Sequence, residues 1–203
     1  MNISKKHKLI PSIEKEIKGN IWDYIGKCDA MCIPINLYMK DEKNIMGAGL
    51  AKELKERYPE IPHSIFFIYN NFGFDIHILM TEHLTKSKNN IITGINTTLI
   101  LGFPTKPEWI RVNKSRSNVL PYYKTKPFVF AGKDIPGYMG YSDLKLIKKS
   151  ATILKRKIEI TGWKVILPKV GTGKGELEWK NVKKVLEEVG LYQMNEVTII
   201  EKG

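Results

Sequence analysis

Two short glycine-rich segments, each placed after an apolar run, constrain this chain more than any other feature of it. Met46-Gly47-Ala48-Gly49-Leu50-Ala51 follows the continuous apolar stretch Ala30 to Ile35, and Gly171-Thr172-Gly173-Lys174-Gly175 follows Lys164 to Leu167. A continuous apolar run bounded by turn residues is the pattern of a strand buried on both faces, as in a parallel sheet. Such sheets bind ligands beyond the carboxyl ends of their strands, where glycine lets the backbone approach and free N–H groups favour anions. Two glycine loops at two strand ends imply a diphosphate gripped from both sides. Neither is a Walker loop: Lys174 is followed by Gly175 instead of Ser or Thr, and Pro168 stands where the first glycine belongs. Neither has G-x-G-x-x-G spacing. Taken alone, the first segment reads equally as a tight turn before a helix, and Lys174 as a solvated lysine.

The surrounding pattern supplies the rest of the fold. Ile13 to Lys18 reads as a strand, Ile21 to Gly26 as a helical turn, and Asn36 to Ile45 as a polar loop. Leu50, Leu54 and Tyr58 recur every four residues, predicting a helix that Pro59 and Pro62 end. Ile65 to Ile68 and Asp75 to Leu79 read as strands, as does Thr97 to Phe103, halted by Pro104. Leu144, Ile147, Ala151, Leu154 and Ile158 predict a helix over 143–160, capped by Ser142 or Asp143. A strand at Lys164 to Leu167, a helix at Trp179 to Val189 and a strand at Glu196 to Ile200 follow. This alternation predicts a three-layer α/β/α sandwich with a mixed, largely parallel central sheet. Residues 1–203 read as one domain with an irregular insertion at about 118–141. That insertion carries Pro121, Pro127, Pro136, Tyr122, Tyr123, Phe128, Phe130 and Tyr138, fits no helix, and is expected to cover or flank the cleft.

Composition bounds the partners. No apolar run of about 18 residues exists, so no membrane span is expected. The lysine-rich start leads into no signal-peptide core, so a cytoplasmic location is expected. Cys28 and Cys32 lie within an apolar run and read as two buried thiols sharing one strand face. The four histidines show no ligand spacing near them, so neither metal nor cofactor is expected. A monomer is expected. The net charge of +12 is nearly all lysine. It fits attraction to polyanions such as nucleic acid, and equally the lysine and asparagine bias of an AT-rich bacterial or phage genome.

In this order the segments resemble the macrodomain family. Cys28-Asp29-Ala30-Met31-Cys32-Ile33-Pro34-Ile35-Asn36 resembles its V-D-A-I-V-N-A-A-N strand, keeping Asp29, Ala30 and Asn36 but carrying Ile33 at the first family Asn. Asn44 to Ala51 and Ile166 to Trp179 are similar to its two phosphate loops. Gly102-Phe103-Pro104-Thr105-Lys106-Pro107-Glu108-Trp109 resembles the F-P-T-K-x-x-W segment of the branch that includes antitoxin macrodomains removing ADP-ribose from DNA. The resemblance implies ADP-ribose as ligand, or an ADP-ribosylated macromolecule. Met46, Gly47, Ala48, Gly49 and Leu50 would hold the diphosphate with Gly171, Thr172, Gly173, Lys174 and Gly175. Asn36 would orient the distal ribose. Lys106 would sit by its anomeric carbon as the catalytic group, either as a nucleophile on the opened sugar or as a cation. Asn20, beside Ile21, stands where the family has the adenine-binding Asp. Gly175 stands where a human-type branch has a hydrolytic acid.

The implied function is hydrolysis of an ADP-ribosyl linkage in DNA, protein or an ADP-ribose derivative, the alternative being a non-catalytic reader of ADP-ribose. A plain nucleic-acid binder would use the cluster of Lys106, Arg111, Lys114 and Arg116 with Trp109, Tyr122, Tyr123, Lys124 and Lys126; no nucleic-acid-binding motif accompanies it.

Overall fold

The structure, a computed structural model, describes residues 14–88 and 91–203. Six strands form the central sheet: β1 (Glu16–Gly19), β2 (Ala30–Asn36), β5 (Ile78–Lys88), β6 (Ile91–Lys106), β9 (Val165–Pro168) and β10 (Val197–Lys202). Their order is β1-β10-β9-β2-β6-β5, and every pair is parallel except β5 with β6. The sheet is mixed and largely parallel, with helices on both faces, as the alternation predicts. Ile13, the expected start of the first strand, lies outside the described residues.

Alternation along each buried strand divides the core in two. Ala30, Cys32, Leu101, Phe103, Val165, Leu167, Val197 and Ile199 face α4 (Leu144–Thr161) and α5 (Trp179–Glu188). Met31, Ile33, Ile35, Ile100, Ile166 and Ile200 face α1 (Gly49–Arg57) and α2 (Ile61–Phe72). Strand periodicity of two places neighbours on opposite faces, so a run apolar at every position must be covered twice. Helix α4 forms as its spacing predicts. Asp143 accepts from the amides of Lys145 and Leu146, and Gly162, at φ 68°, ends it in the left-handed conformation.

Several expectations change. Ile65 to Ile68 lies inside α2 and is no strand. Pro62 opens that helix, since the first turn needs no N–H, so the proline read as a stop is also a start. Asp75 to Leu79 contributes only its last two residues to β5. Pro104 does not halt β6, which continues to Lys106. Pairing with β5 ends at Ile78↔Leu101, so Pro104 has an open side, and it sits at the register shift where Ile35↔Pro104 gives way to Asn36↔Lys106. The loop 36–45 folds into a small hairpin, β3 (Met39–Lys40) with β4 (Lys43–Asn44). Cys28 and Cys32 are free and buried, but in different halves of the core, because β2 begins only at Ala30. Burial raises the Cys28 thiol to about 11 and pushes Cys32 up as well.

The region after β6 is more ordered than its composition suggests. β7 (Trp109–Arg111) pairs with β8 (Asp134–Pro136), and the one-turn helix α3 (Pro121–Lys124) lies between them. Val112, Val119, Val129, Ile135 and Met139 give this satellite its own small core. Among the described residues no helix is long and apolar enough to cross a membrane.

Candidate functional site

Strands β9 and β2 pair only at Ala30↔Val165 and Met31↔Ile166 and then part. A cleft of about 870 Å³ opens at their carboxyl ends. Pro34, beyond the last β2–β9 pair, and Pro168, the last residue of β9, line it. Proline suits both positions, since a strand leaving its neighbour has no ladder bond to lose there.

The two glycine segments form facing parts of the wall. Gly47, Ala48, Gly49, Leu50 and Ala51 bring the start of α1 into the cleft, and no side chain caps that helix. Its first-turn amides therefore lack helical acceptors. Gly49 takes φ +56°, and a Cβ at Gly47 or Gly49 would meet nothing within 4 Å, so this backbone borders open space. On the other side Gly171 to Glu176 fold back on themselves: Glu176 N donates to Gly173 O at 3.0 Å and Leu177 N to Gly171 O at 3.0 Å. The amides of Gly173, Lys174 and Gly175 donate to no protein acceptor among the described residues. Amides left open at a helix start and in a tight glycine loop make a cradle for an anion.

The order of strands sets the ends of the cleft. Gly19, Asn20, Ile21, Glu53, Ile200 and Lys202 lie on the β1–β10 side. Asn20 Oδ1 accepts from Trp22 N at 3.2 Å, which leaves its amide hydrogens for a ligand. Glu53 accepts from Trp22 Nε1 at 2.8 Å and from Lys202 Nζ at 2.9 Å; these bonds, the Trp22 one foremost, hold its carboxyl below the usual carboxylate range. Lys169, also in the wall, contacts Glu201 at 2.7 Å and Glu16 at 3.5 Å, so its charge is already offset.

Lys106 and the satellite define the β6 side. The residue is 8% exposed, and its ammonium donates to Gly140 O at 2.7 Å, Lys174 O at 2.9 Å and Tyr138 O at 3.2 Å. All three N–H groups are thereby used. Burial lowers its pKa to about 8, against the raising effect of the Glu176 charge. At neutral pH this is a fixed cation, tethered to the second glycine loop. It is not part of an exposed basic cluster, which corrects the grouping with Arg111, Lys114 and Arg116. Leu120, Tyr122, Tyr123 and Tyr138 continue the wall, and edge-to-face contacts link Tyr38, Tyr138, Tyr123 and Tyr122.

Asn36 lies in the floor beside Lys106, paired to it across β2 and β6. Its Nδ2 donates to Ile45 O at 2.5 Å and its Oδ1 accepts from Tyr38 N at 2.9 Å, so its first task is to shape the turn leading to the first glycine loop. One amide hydrogen remains. Asn20, Ile21, Asn36, Gly47, Ala48, Gly49, Leu50, Lys106, Gly171, Thr172, Gly173, Lys174 and Gly175 all border the one cleft. Met46 does not: at 2% exposure it anchors the loop in the core beneath.

Glu53, Lys169 and Lys202 are wall residues that the sequence pattern does not single out, and Ser142 is one that it offers only as a helix cap. Tyr138 lines the wall as expected of the insertion. The parallel register carried a signal for the two lysines, because it puts the ends of β9 and β10 side by side. Among the described residues no group of three or more His, Cys, Asp or Glu could hold a metal.

No protein-family model matches the chain, and no curated protein does. Solved structures do. The macrodomain of Mycobacterium tuberculosis DarG is 19% identical, with a TM-score of 0.50 over 86% of this chain and 88% of that one. The macrodomain of Thermus aquaticus DarG is 16% identical, with a TM-score of 0.54 over 93% and 97%. Thermosipho africanus DarTG in complex with ADP-ribose is 16% identical, with a TM-score of 0.51 over 87% of this chain, which spans 38% of that structure's length. At these identities the likeness is one of fold.

Proposed function

From the macrodomain fold of this chain, and from a cleft walled by two glycine loops, we propose that the protein binds ADP-ribose and hydrolyses an ADP-ribosyl linkage. The observation that carries the reading is the pair of open backbone cradles facing one cavity. The start of α1 and the Gly173–Gly175 amides would take the two phosphates. The adenine would lie toward Asn20 and Ile21, and the distal ribose toward Asn36 and Lys106. The solved Thermosipho africanus complex with ADP-ribose, similar in fold, supports the choice of ligand.

Hydrolysis rests on Lys106. Its three hydrogen bonds favour the role of a fixed cation that stabilises charge on the departing group over that of a free amine. The same bonds favour the second reading, a binder without turnover, in which Lys106 only shapes the cleft. The satellite extends a ligand-binding wall toward exposed Trp109, Tyr122, Phe128 and Phe130 and the nearby lysines and arginines. That surface suits a modified nucleic acid better than a free nucleotide.

The test is release of ADP-ribose from ADP-ribosylated single-stranded DNA, ADP-ribosylated protein and ADP-ribose phosphate. Turnover of one of them is expected, and is expected to disappear in Lys106→Ala. Binding with no turnover of any would establish the reader instead.

A further inference from the structure

Ser142 sits immediately before Asp143, the cap of the 18-residue helix α4, and belongs to the cleft wall. Its backbone N–H donates to Gly175 O at 3.0 Å, tying the start of α4 to the second glycine loop. Its side chain is turned into that loop. A Cβ on Gly175 would lie 2.1 Å from Ser142 Oγ, and one on Gly171 would lie 3.3 Å from Ser142 Cβ. The hydroxyl therefore occupies the space that glycine leaves at position 175, and the Ser142 Cβ packs beside Gly171. Yet Ser142 is 6% exposed, and its Oγ has no hydrogen-bond partner among the described residues.

An unpaired buried hydroxyl is costly, and alanine would carry no such cost. The neighbouring amides of Gly173, Lys174 and Gly175 likewise have no protein acceptor among the described residues. Several donors without acceptors, brought together at a helix start, describe a place prepared for an anionic oxygen. The Asp143 carboxylate is engaged with the amides of Lys145 and Leu146 at the first turn of α4. Lys106, bonded to Lys174 O in the same loop, adds positive charge.

We propose that Ser142 is a ligand-binding residue whose hydroxyl donates to a phosphate oxygen taken up by the second glycine loop. The proposal rests on the reading of the cleft as a diphosphate site. The loop backbone over Gly175 shifts to admit the ligand, and the shift exchanges an unpaired hydroxyl for a charge-assisted hydrogen bond.

Calorimetry with ADP-ribose, ADP and inorganic pyrophosphate on the parent and on Ser142→Ala tests it, with melting temperatures measured alongside. Ser142→Ala is expected to bind all three about five- to twentyfold more weakly. Its melting temperature should equal or exceed the parent's, because no existing bond is lost. Ser142→Gly serves as a second variant with the same expected loss. Unchanged affinities in a parent that binds would overturn the role of Ser142 and leave the cleft reading standing. Weaker binding accompanied by a lower melting temperature would also overturn it, since the hydroxyl would then be holding the fold. A parent that binds none of the three probes would remove the cleft reading, and this proposal with it.

Discussion

Lys106 Nζ donates to the backbone oxygen of Lys174 at 2.9 Å, joining the end of β6 to the second glycine loop across 68 positions of sequence. Its bonds to Tyr138 and Gly140 bring the satellite into the same knot. One side chain thus sets the relative positions of a phosphate loop and the wall beyond it. Lys106→Ala should abolish turnover while lowering ADP-ribose affinity only a few-fold, because the cation would act in the transition state more than on the bound diphosphate. Amide exchange at Glu176 and Leu177, whose N–H groups close the loop onto Gly173 and Gly171, should quicken in the variant. Unaltered exchange would show that the ammonium does not hold the loop.

The buried lysine also gives stability a defined pH dependence. Its folded pKa is lowered from 10.5 to about 8 by burial. Between those values the unfolded chain keeps a proton that the folded chain has released. Stability from this residue therefore rises with pH across that window and carries a constant penalty below it. Urea midpoints of the parent and Lys106→Met, compared from about pH 8 to pH 10, should shift in the parent's favour as pH rises. A difference that does not change with pH contradicts the assignment.

Glycine positions separate binding from folding. A Cβ at Gly47 or Gly173 would meet nothing within 4 Å and neither has positive φ, so valine there enters only the cleft. Gly47→Val and Gly173→Val should keep stability within about 0.5 kcal/mol of the parent. Both should lose about tenfold or more in ADP-ribose affinity, roughly 1.4 kcal/mol. Gly49→Val is a poorer probe because Gly49 has φ +56°. Gly175→Ala should destabilise the loop, its Cβ lying 2.4 Å from Gly171 O. Parent-like affinity in Gly47→Val or Gly173→Val would remove that loop from the site.

The satellite surface makes a separate prediction about charge. Trp109 and Tyr122 are exposed, Lys126 lies 4.6 Å from the Tyr122 ring, and Arg111 is only loosely paired with Asp134 at 3.5 Å. If this face grips modified single-stranded DNA, affinity should fall with salt, with a logarithmic slope near −0.7 per neutralised phosphate. Replacing Arg111, Lys114 and Arg116 by Ala should flatten that slope and leave free ADP-ribose binding alone. Equal salt slopes for modified DNA and free ADP-ribose would return these residues to ordinary surface.

What the sequence made legible was mostly local. Apolar continuity in Ala30 to Ile35 announced β2, the 3,4 spacing from Leu144 to Ile158 announced α4, and the glycines marked both cradles. What escaped depended on partners distant in sequence. Ile65 to Ile68 is short and apolar, and periodicity alone cannot tell such a run from a strand. Pro104 is tolerated only because β5 stops pairing at Leu101, which no local pattern reveals. Glu53 reaches the cleft through Trp22 and Lys202, and Ser142 through its packing against Gly171 and Gly175. Met46 faces the core and Gly47 the cleft, because loop neighbours alternate between the two and only packing decides which.

The central claim is that this cleft takes ADP-ribose between two glycine loops, and direct calorimetric titration of ADP-ribose into the parent protein tests it most plainly. A saturable one-to-one isotherm is expected, with ATP binding more weakly. It should be accompanied by a rise in thermal stability approaching about 2.7 kcal/mol at a hundred times the dissociation constant. No heat of binding and no thermal shift at millimolar ADP-ribose would contradict the account.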